Sequence, residues 1–164
     1  MGAGVTAKTT YIALGSNVGD REGTLMHAVT MIDEIHGVRV RRVSQMVETA
    51  PVGGPEQQGA YLNAAAEIET NLEPLDLLSS LQEIERALGR DRGREQRWGP
   101  RTCDIDILLM GETVVRSEKL TIPHPRIQER AFVLTPLAEI APDVLHPVLG
   151  KTVVALLREL EGRR

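Results

Sequence analysis

The apolar residues of this chain change period repeatedly between Thr9 and Met110, and that alternation limits the fold more than any other feature. A strand repeats every second residue and a helix about every 3.6, so each switch marks a new element. Thr9 to Leu14 reads as a short buried strand, ended by the turn residues Gly15, Ser16, Asn17 and Gly19. Asp20 is placed to cap a helix carrying Leu25, Ala28, Val29 and Ile32 on one face, and Gly37 closes it. Val38 to Thr49 alternates as a strand whose phase slips near Arg41 and Arg42, as a β-bulge would cause. Beyond a Gly- and Pro-rich loop, Leu62, Ala64, Ala66 and Ile68 share one strand face, and Tyr61, Asn63, Ala65 and Glu67 the other. Pro74 suits a first helical turn, Leu78, Leu81, Ile84 and Leu88 form a stripe, and Gly89 ends it. A strand from Asp104 to Met110 follows, then a Gly111 turn and a second hairpin arm around Val114. A proline-punctuated stretch leads to a last helix with Val153, Leu156, Leu157 and Leu160 inward.

The order β-α-β-β-α-β predicts an α+β fold: a ferredoxin-like sandwich with one antiparallel sheet, helices on one face, a hairpin and a C-terminal helical extension. A ligand would find room on the open face of the sheet. Residues 1–8 are expected to be a disordered tail and residues 9–164 one domain. The start MGAGVT matches a bare myristoylation pattern, but no polybasic patch supplies a second anchor. With 41% hydrophobic but only 2% aromatic residues, the core has to be aliphatic. A net charge of −4 gives no general attraction to nucleic acid or to an anionic membrane, and no apolar run predicts a membrane span. One cysteine, Cys103, forms no internal disulfide, which fits the cytoplasm.

Chemistry concentrates in RWGPRTCDIDILLMG, residues 97–111. Asp104 and Asp106 share a strand face, while Cys103, Ile105, Ile107 and Leu109 are expected on the other. Two carboxylates about 6 Å apart repel by roughly 3 kcal/mol at an effective dielectric of 20, so a cation belongs beside them if they are shielded. Mg²⁺ at nucleotide sites takes one or two carboxylates and completes its shell with water and phosphate oxygens. Arg90, Arg92, Arg94, Arg97 and Arg101 crowd the preceding loop and suit phosphate oxygens; the alternative is that they only neutralise the aspartates on a solvated loop. Trp98 could pin that loop or stack on a flat heterocycle, and Asn63 offers both donors and an acceptor to a heterocycle's edge. Two decoys drop out. The GKT at residues 150–152 lacks the first glycine of a Walker loop, which Leu145 replaces, and the scattered histidines have no zinc spacing.

These motifs carry a resemblance. RWGPRTCDIDIL, together with YIALGSN, ETAPVG, YLNAA, QEIE and LTIPHP, is similar to the signature of the 6-hydroxymethyl-7,8-dihydropterin pyrophosphokinases, over about residues 9–160. The resemblance implies the same ferredoxin-like fold and transfer of the terminal diphosphate of ATP to the pterin hydroxymethyl oxygen in folate biosynthesis, leaving AMP. It implies that Asp104 and Asp106 hold a pair of Mg²⁺ ions, with Arg90 and Arg101 as catalytic cations on the migrating diphosphate. Gln82, Glu85, Arg92, Lys119, Thr121, His124 and Arg130 match ATP-contacting positions. Thr49, Val52, Tyr61, Asn63, Trp98 and Phe132 match the pterin pocket, with Trp98 and Phe132 sandwiching the ring. Lys119 stands where some members have arginine, which removes a two-pronged grip on phosphate. The expected partners are ATP and the hydroxymethyl dihydropterin, with no nucleic acid and no membrane, for a cytoplasmic monomer. Rival readings are a plain kinase-like or nucleotidyl-transferring enzyme using the same metal pair, an RNA-binding module of similar topology and a catalytically dead regulatory domain that only binds ligand.

Overall fold

A computed structural model describes residues 6–17, 19–49, 60–90 and 103–163. Its first elements are β1 (Lys8–Ser16), α1 (Arg21–Asp33), β2 (Val38–Val43), β3 (Val47–Thr49), β4 (Tyr61–Thr70), α2 (Pro74–Arg90) and β5 (Asp104–Met110). β1 runs antiparallel to β4 on one side and to β5 on the other, while β2 and β3 both pair with β4. The order β2-β4-β1-β5 is that of a ferredoxin-like βαββαβ sheet. Residues 1–5 of the expected tail lie outside the described residues, and β1 starts one residue before the expected strand.

α1 and α2 cover one face. The Asp20 carboxylate accepts a hydrogen bond from the Gly23 backbone N–H at 3.0 Å, capping α1, and Leu25, Ala28 and Ile32 go into the core. α2 adds Leu77, Leu81, Ile84 and Leu88 against Ile12 and Leu14 of β1 and Ile105 and Ile107 of β5. Each such Leu or Ile is worth about 1.5–3 kcal/mol when fully buried. Two expectations shift here: Leu77 rather than Leu78 begins the buried stripe, and the helix continues through Gly89 to Arg90. An isolated glycine costs about 1 kcal/mol, which the packing of Leu88 offsets.

The bulge expected near Arg41 is present, where the β2–β4 register shifts between Val40 and Arg42. The single strand expected over Val38 to Thr49 is instead two, because Ser44 takes over the ladder. Its backbone N–H donates to the Ala65 carbonyl (2.8 Å), and its hydroxyl accepts from the Ala65 N–H (2.9 Å). β5 departs from simple alternation as well. Tyr11 pairs with Leu109 but Ile12 with Ile107, which leaves Leu108 as an extra residue. Leu109 therefore packs beside Leu108, on the face opposite Ile105 and Ile107, and not with them as expected.

The C-terminal third builds a second core on that opposite face. The hairpin arm expected next to β5 pairs elsewhere: β6 (Val115–Arg116) and β7 (Thr121–Ile122) form a separate two-stranded sheet. A 3-10 turn (Ile127–Glu129) leads into α3 (Ala131–Ile140), and α4 (Val153–Gly162) follows. The proline-punctuated stretch expected before the last helix thus contains a helix of its own, α3, with Pro136 inside it. Burial of Val133, Leu134, Leu137 and Ile140 overrides that local penalty. Tyr11, Ala65, Leu108 and Leu109 receive Ile127, these α3 residues and Val153 and Leu156 of α4.

Candidate active site

Among the described residues part of the second face stays uncovered, and its shape follows from small residues at the sheet's centre. Gly15 of β1 pairs with Asn63 of β4 and with Asp104 of β5; Ala13 pairs with Ala65 and Asp106. Side chains two apart share a face, so glycine and alanine leave a trough between Asn63 and the aspartates. The trough is a chamber of about 660 Å³ whose lining includes Gly15, Thr49, Tyr61, Asn63, Asp104, Asp106, Arg130 and Phe132. A second chamber of about 430 Å³ opens on the other side of β5, among Gln82, Glu85, Lys119, Thr121 and His124. Asp104 and Asp106 line both. The carboxylate pair is the seam between them.

Hydrogen bonds fix the seam and its surroundings. Glu85 of α2 accepts from the backbone N–H of Ile105 at 2.7 Å, gripping the peptide between the two aspartates. Asn63 Nδ2 donates to Thr49 Oγ1 at 2.7 Å, which orients the buried amide. His124 is tied to the bulge, since its backbone N–H donates to the Leu108 carbonyl at 2.9 Å. Its Nδ1 accepts from the Arg126 N–H at 3.1 Å, so the neutral ring carries its proton on Nε2. Burial lowers the pKa of His124, with Arg130 and Arg126 acting in the same sense and Asp106 opposing them. Burial, then the Asp104 charge, raises that of the Tyr61 phenol. Cys103 is pushed up to about 12 by burial first and then by Asp104 and Glu85, so it offers no thiolate nucleophile near neutral pH.

The structure gathers the site residues read from sequence into two groups. Thr49, Tyr61, Asn63 and Phe132 line the larger chamber; Gln82, Glu85, Lys119, Thr121 and His124 line the smaller. Arg130, grouped with the ATP contacts by resemblance, lines the larger chamber, its guanidinium 5.6 Å from the Phe132 ring centroid. Val52, Arg92, Trp98, Arg101 and the side chain of Arg90 lie outside the described residues. Sequence reasoning missed Ala13 and Gly15 as the trough floor and Arg126 and Glu129 as part of its wall. Alternation along β1 contained the signal for the floor, because Tyr11, Ala13 and Gly15 fall on one face and shrink toward its end.

The fold is thus a ferredoxin-like α+β sheet with paired carboxylates at the seam of two chambers. Residues 11–142 match the family model described as 7,8-dihydro-6-hydroxymethylpterin-pyrophosphokinase (HPPK). The chain belongs to this family and is a pyrophosphokinase, a transferase. It is 53% identical over 134 residues to the 2-amino-4-hydroxy-6-hydroxymethyldihydropteridine pyrophosphokinase of Bacillus subtilis, covering 82% of this chain and 78% of that one. Its identity to the enzyme of the same name from Methylorubrum extorquens is 46%, covering 92% of each chain. It is also 42% identical to the folic acid synthesis protein fol1 of Schizosaccharomyces pombe, over 95% of this chain but only 21% of that longer protein. A crystal structure of a Plasmodium falciparum HPPK-DHPS triple mutant shares the fold, with a TM-score of 0.77 at 15% identity, over 98% of this chain and 45% of that one. Among the described residues, no helix is long and apolar enough to cross a membrane.

Proposed function

We propose that this enzyme transfers the terminal diphosphate of ATP to the hydroxymethyl oxygen of 6-hydroxymethyl-7,8-dihydropterin in folate biosynthesis, releasing AMP. The observation that carries this reading is the shared seam: Asp104 and Asp106 border both chambers, so molecules filling the two would meet there. The pterin would occupy the larger chamber, its polar edge against Asn63 and its ring face against Phe132. ATP would occupy the smaller, with Gln82, Glu85, Lys119 and Thr121 as contacts. His124 suits phosphate recognition, because its neutral tautomer presents an Nε2–H donor.

The donor set fits Mg²⁺. Among the described residues no group of three His, Cys, Asp or Glu could hold a metal ion, so the aspartate pair would leave the remaining coordination positions to water and phosphate oxygens. Asp104 and Asp106 would hold a pair of such ions, which when bound would neutralise phosphate charge and lower the pKa of the attacking hydroxyl. The chain's own residues have little covalent work in phosphoryl transfer; they position the reactants and balance charge. Arg90 and Arg101 are the cations we assign to the migrating diphosphate, with Arg92 in support. Val52 and Trp98 complete the pterin pocket in this reading. We take the active form to be a cytoplasmic monomer.

One assay tests the reaction. With ATP, MgCl₂ and the hydroxymethyl dihydropterin, equimolar AMP and pterin diphosphate are expected, and both products should disappear when Mg²⁺ is chelated. ADP as the nucleotide product would replace diphosphate transfer with single phosphoryl transfer and sink the proposal.

A further inference from the structure

Arg21 lies outside both chambers, yet it is tied to both strands that frame the larger one. One guanidinium nitrogen, Nη2, pairs with Glu48 Oε2 of β3 at 2.7 Å. The other, Nη1, donates to the Ala60 carbonyl, just before β4, also at 2.7 Å. The residues that follow these two anchors, Thr49 and Tyr61, are cross-strand partners and line the chamber. Thr49 in turn orients the Asn63 amide.

Arg21 is also in an unfavourable place for a cation. It is the first residue of α1, where the helix dipole favours negative charge. The helix gains nothing from an arginine there, and the Asp20 cap serves its end without it. The forked guanidinium suits a different task, because its two nitrogens hold two acceptors at a fixed spacing. One acceptor belongs to each strand.

We infer that Arg21 is a positioning residue for the heterocycle half of the site: by bridging Glu48 and the Ala60 carbonyl it sets the spacing of the β3–β4 pair and so the placement of Thr49, Tyr61 and Asn63. The inference rests on the pterin reading of the larger chamber. Arg21 touches no reactant in this scheme, so its loss alters recognition of one substrate and leaves the chemical step alone.

The test uses the full chain and the variants Arg21→Gln, Arg21→Lys and Glu48→Gln. Glu48 is exposed, so the last variant breaks the ion pair with the fold preserved. In Arg21→Gln, the equilibrium Kd and the KM for the hydroxymethyl dihydropterin should rise about three- to tenfold, with kcat and the KM for ATP unchanged. Arg21→Lys should fall between wild type and Arg21→Gln, and Glu48→Gln should shift the pterin constants less than Arg21→Gln does, since the Ala60 bond remains. Hydrogen exchange in residues 47–49 and 61–63 should quicken in Arg21→Gln whether or not ligand is present. Unchanged pterin constants, or pterin and ATP constants shifting together, would overturn the inference; so would unchanged exchange. Wild-type protein that bound no pterin would instead overturn the assignment of the chamber, and the exchange experiment would still decide whether Arg21 orders the strand pair.

Discussion

Gly15 is the cross-strand partner of Asn63, and a β-carbon added at Gly15 would stand 3.0 Å from Asn63 Oδ1 and 3.6 Å from Tyr61 Cδ1. The absence of a side chain at this position leaves the Asn63 amide room to face the trough. Its backbone angle lies outside the left-handed region, so alanine would be unstrained there. Gly15→Ala is therefore expected to raise the pterin KM by at least about tenfold through misplacement of Asn63, with little change in the KM for ATP. Steady-state kinetics against each substrate, alongside a thermal melt, would check this; equal effects on the two substrates would contradict it.

Thr49 acts on the same amide from the other side, accepting from Asn63 Nδ2 at 2.7 Å. Valine keeps the shape of threonine and removes the acceptor. A net hydrogen bond is worth about 0.5–1.5 kcal/mol, so Thr49→Val should weaken pterin binding roughly two- to tenfold. Serine at the same position should restore it. Calorimetric titration with the pterin distinguishes these outcomes, and a Val variant that bound as tightly as wild type would remove Thr49 from the recognition scheme.

At the seam, the side chain of Asp106 is exposed and contributes little to the core. Asp106→Ala and Asp104→Ala should each lower kcat by at least about 100-fold, as the loss of charge stabilisation at a transferring group usually does. The melting temperature of Asp106→Ala should stay within a few degrees of wild type. Both variants should also bind Mn²⁺ more weakly in the presence of a non-hydrolysable ATP analogue, measured by electron paramagnetic resonance. Full turnover in either variant would contradict the metal assignment.

His146 supplies a pH prediction outside the two chambers. Its buried Nδ1 accepts from the backbone N–H groups of Val148 (3.2 Å) and Leu149 (3.0 Å), holding the turn before α4. Burial lowers its pKa below the usual 6.5. The folded state thus binds fewer protons than the unfolded state on the acid side of that value. The stabilisation from neutral His146 is complete above about pH 6.5 and is lost as the pH falls through the lowered folded-state pKa. Urea unfolding from pH 7.5 down to 4.5 should show this decline, and His146→Asn, whose Oδ1 accepts without titrating, should make it shallower, leaving the part due to His124.

Much of this is legible in the sequence, and the exceptions share a cause. The stripe of α2 and the alternation of β4 are local periods, visible within a short window of residues. The split between β2 and β3 depends on a contact between Ser44 and Ala65, which no local pattern announces. α3 was hidden because Pro136 is a poor helix former on its own terms, and only the surrounding core makes it acceptable. The site shows the same division. Asp104 and Asp106 stood out by spacing, whereas Gly15 and Ala13 matter through what they omit, which becomes visible only when β4 and β5 are set beside β1.

The additional residue in β5 has a consequence for how this protein can change over time. Leu108 turns two successive leucines toward α3 and α4 and offers its carbonyl to the His124 backbone N–H, so the anchoring of the C-terminal third and the placement of the His124 backbone depend on one insertion. Shortening the strand by that residue would restore simple pleating at the expense of both together. The length of this segment therefore answers to two separate demands at once.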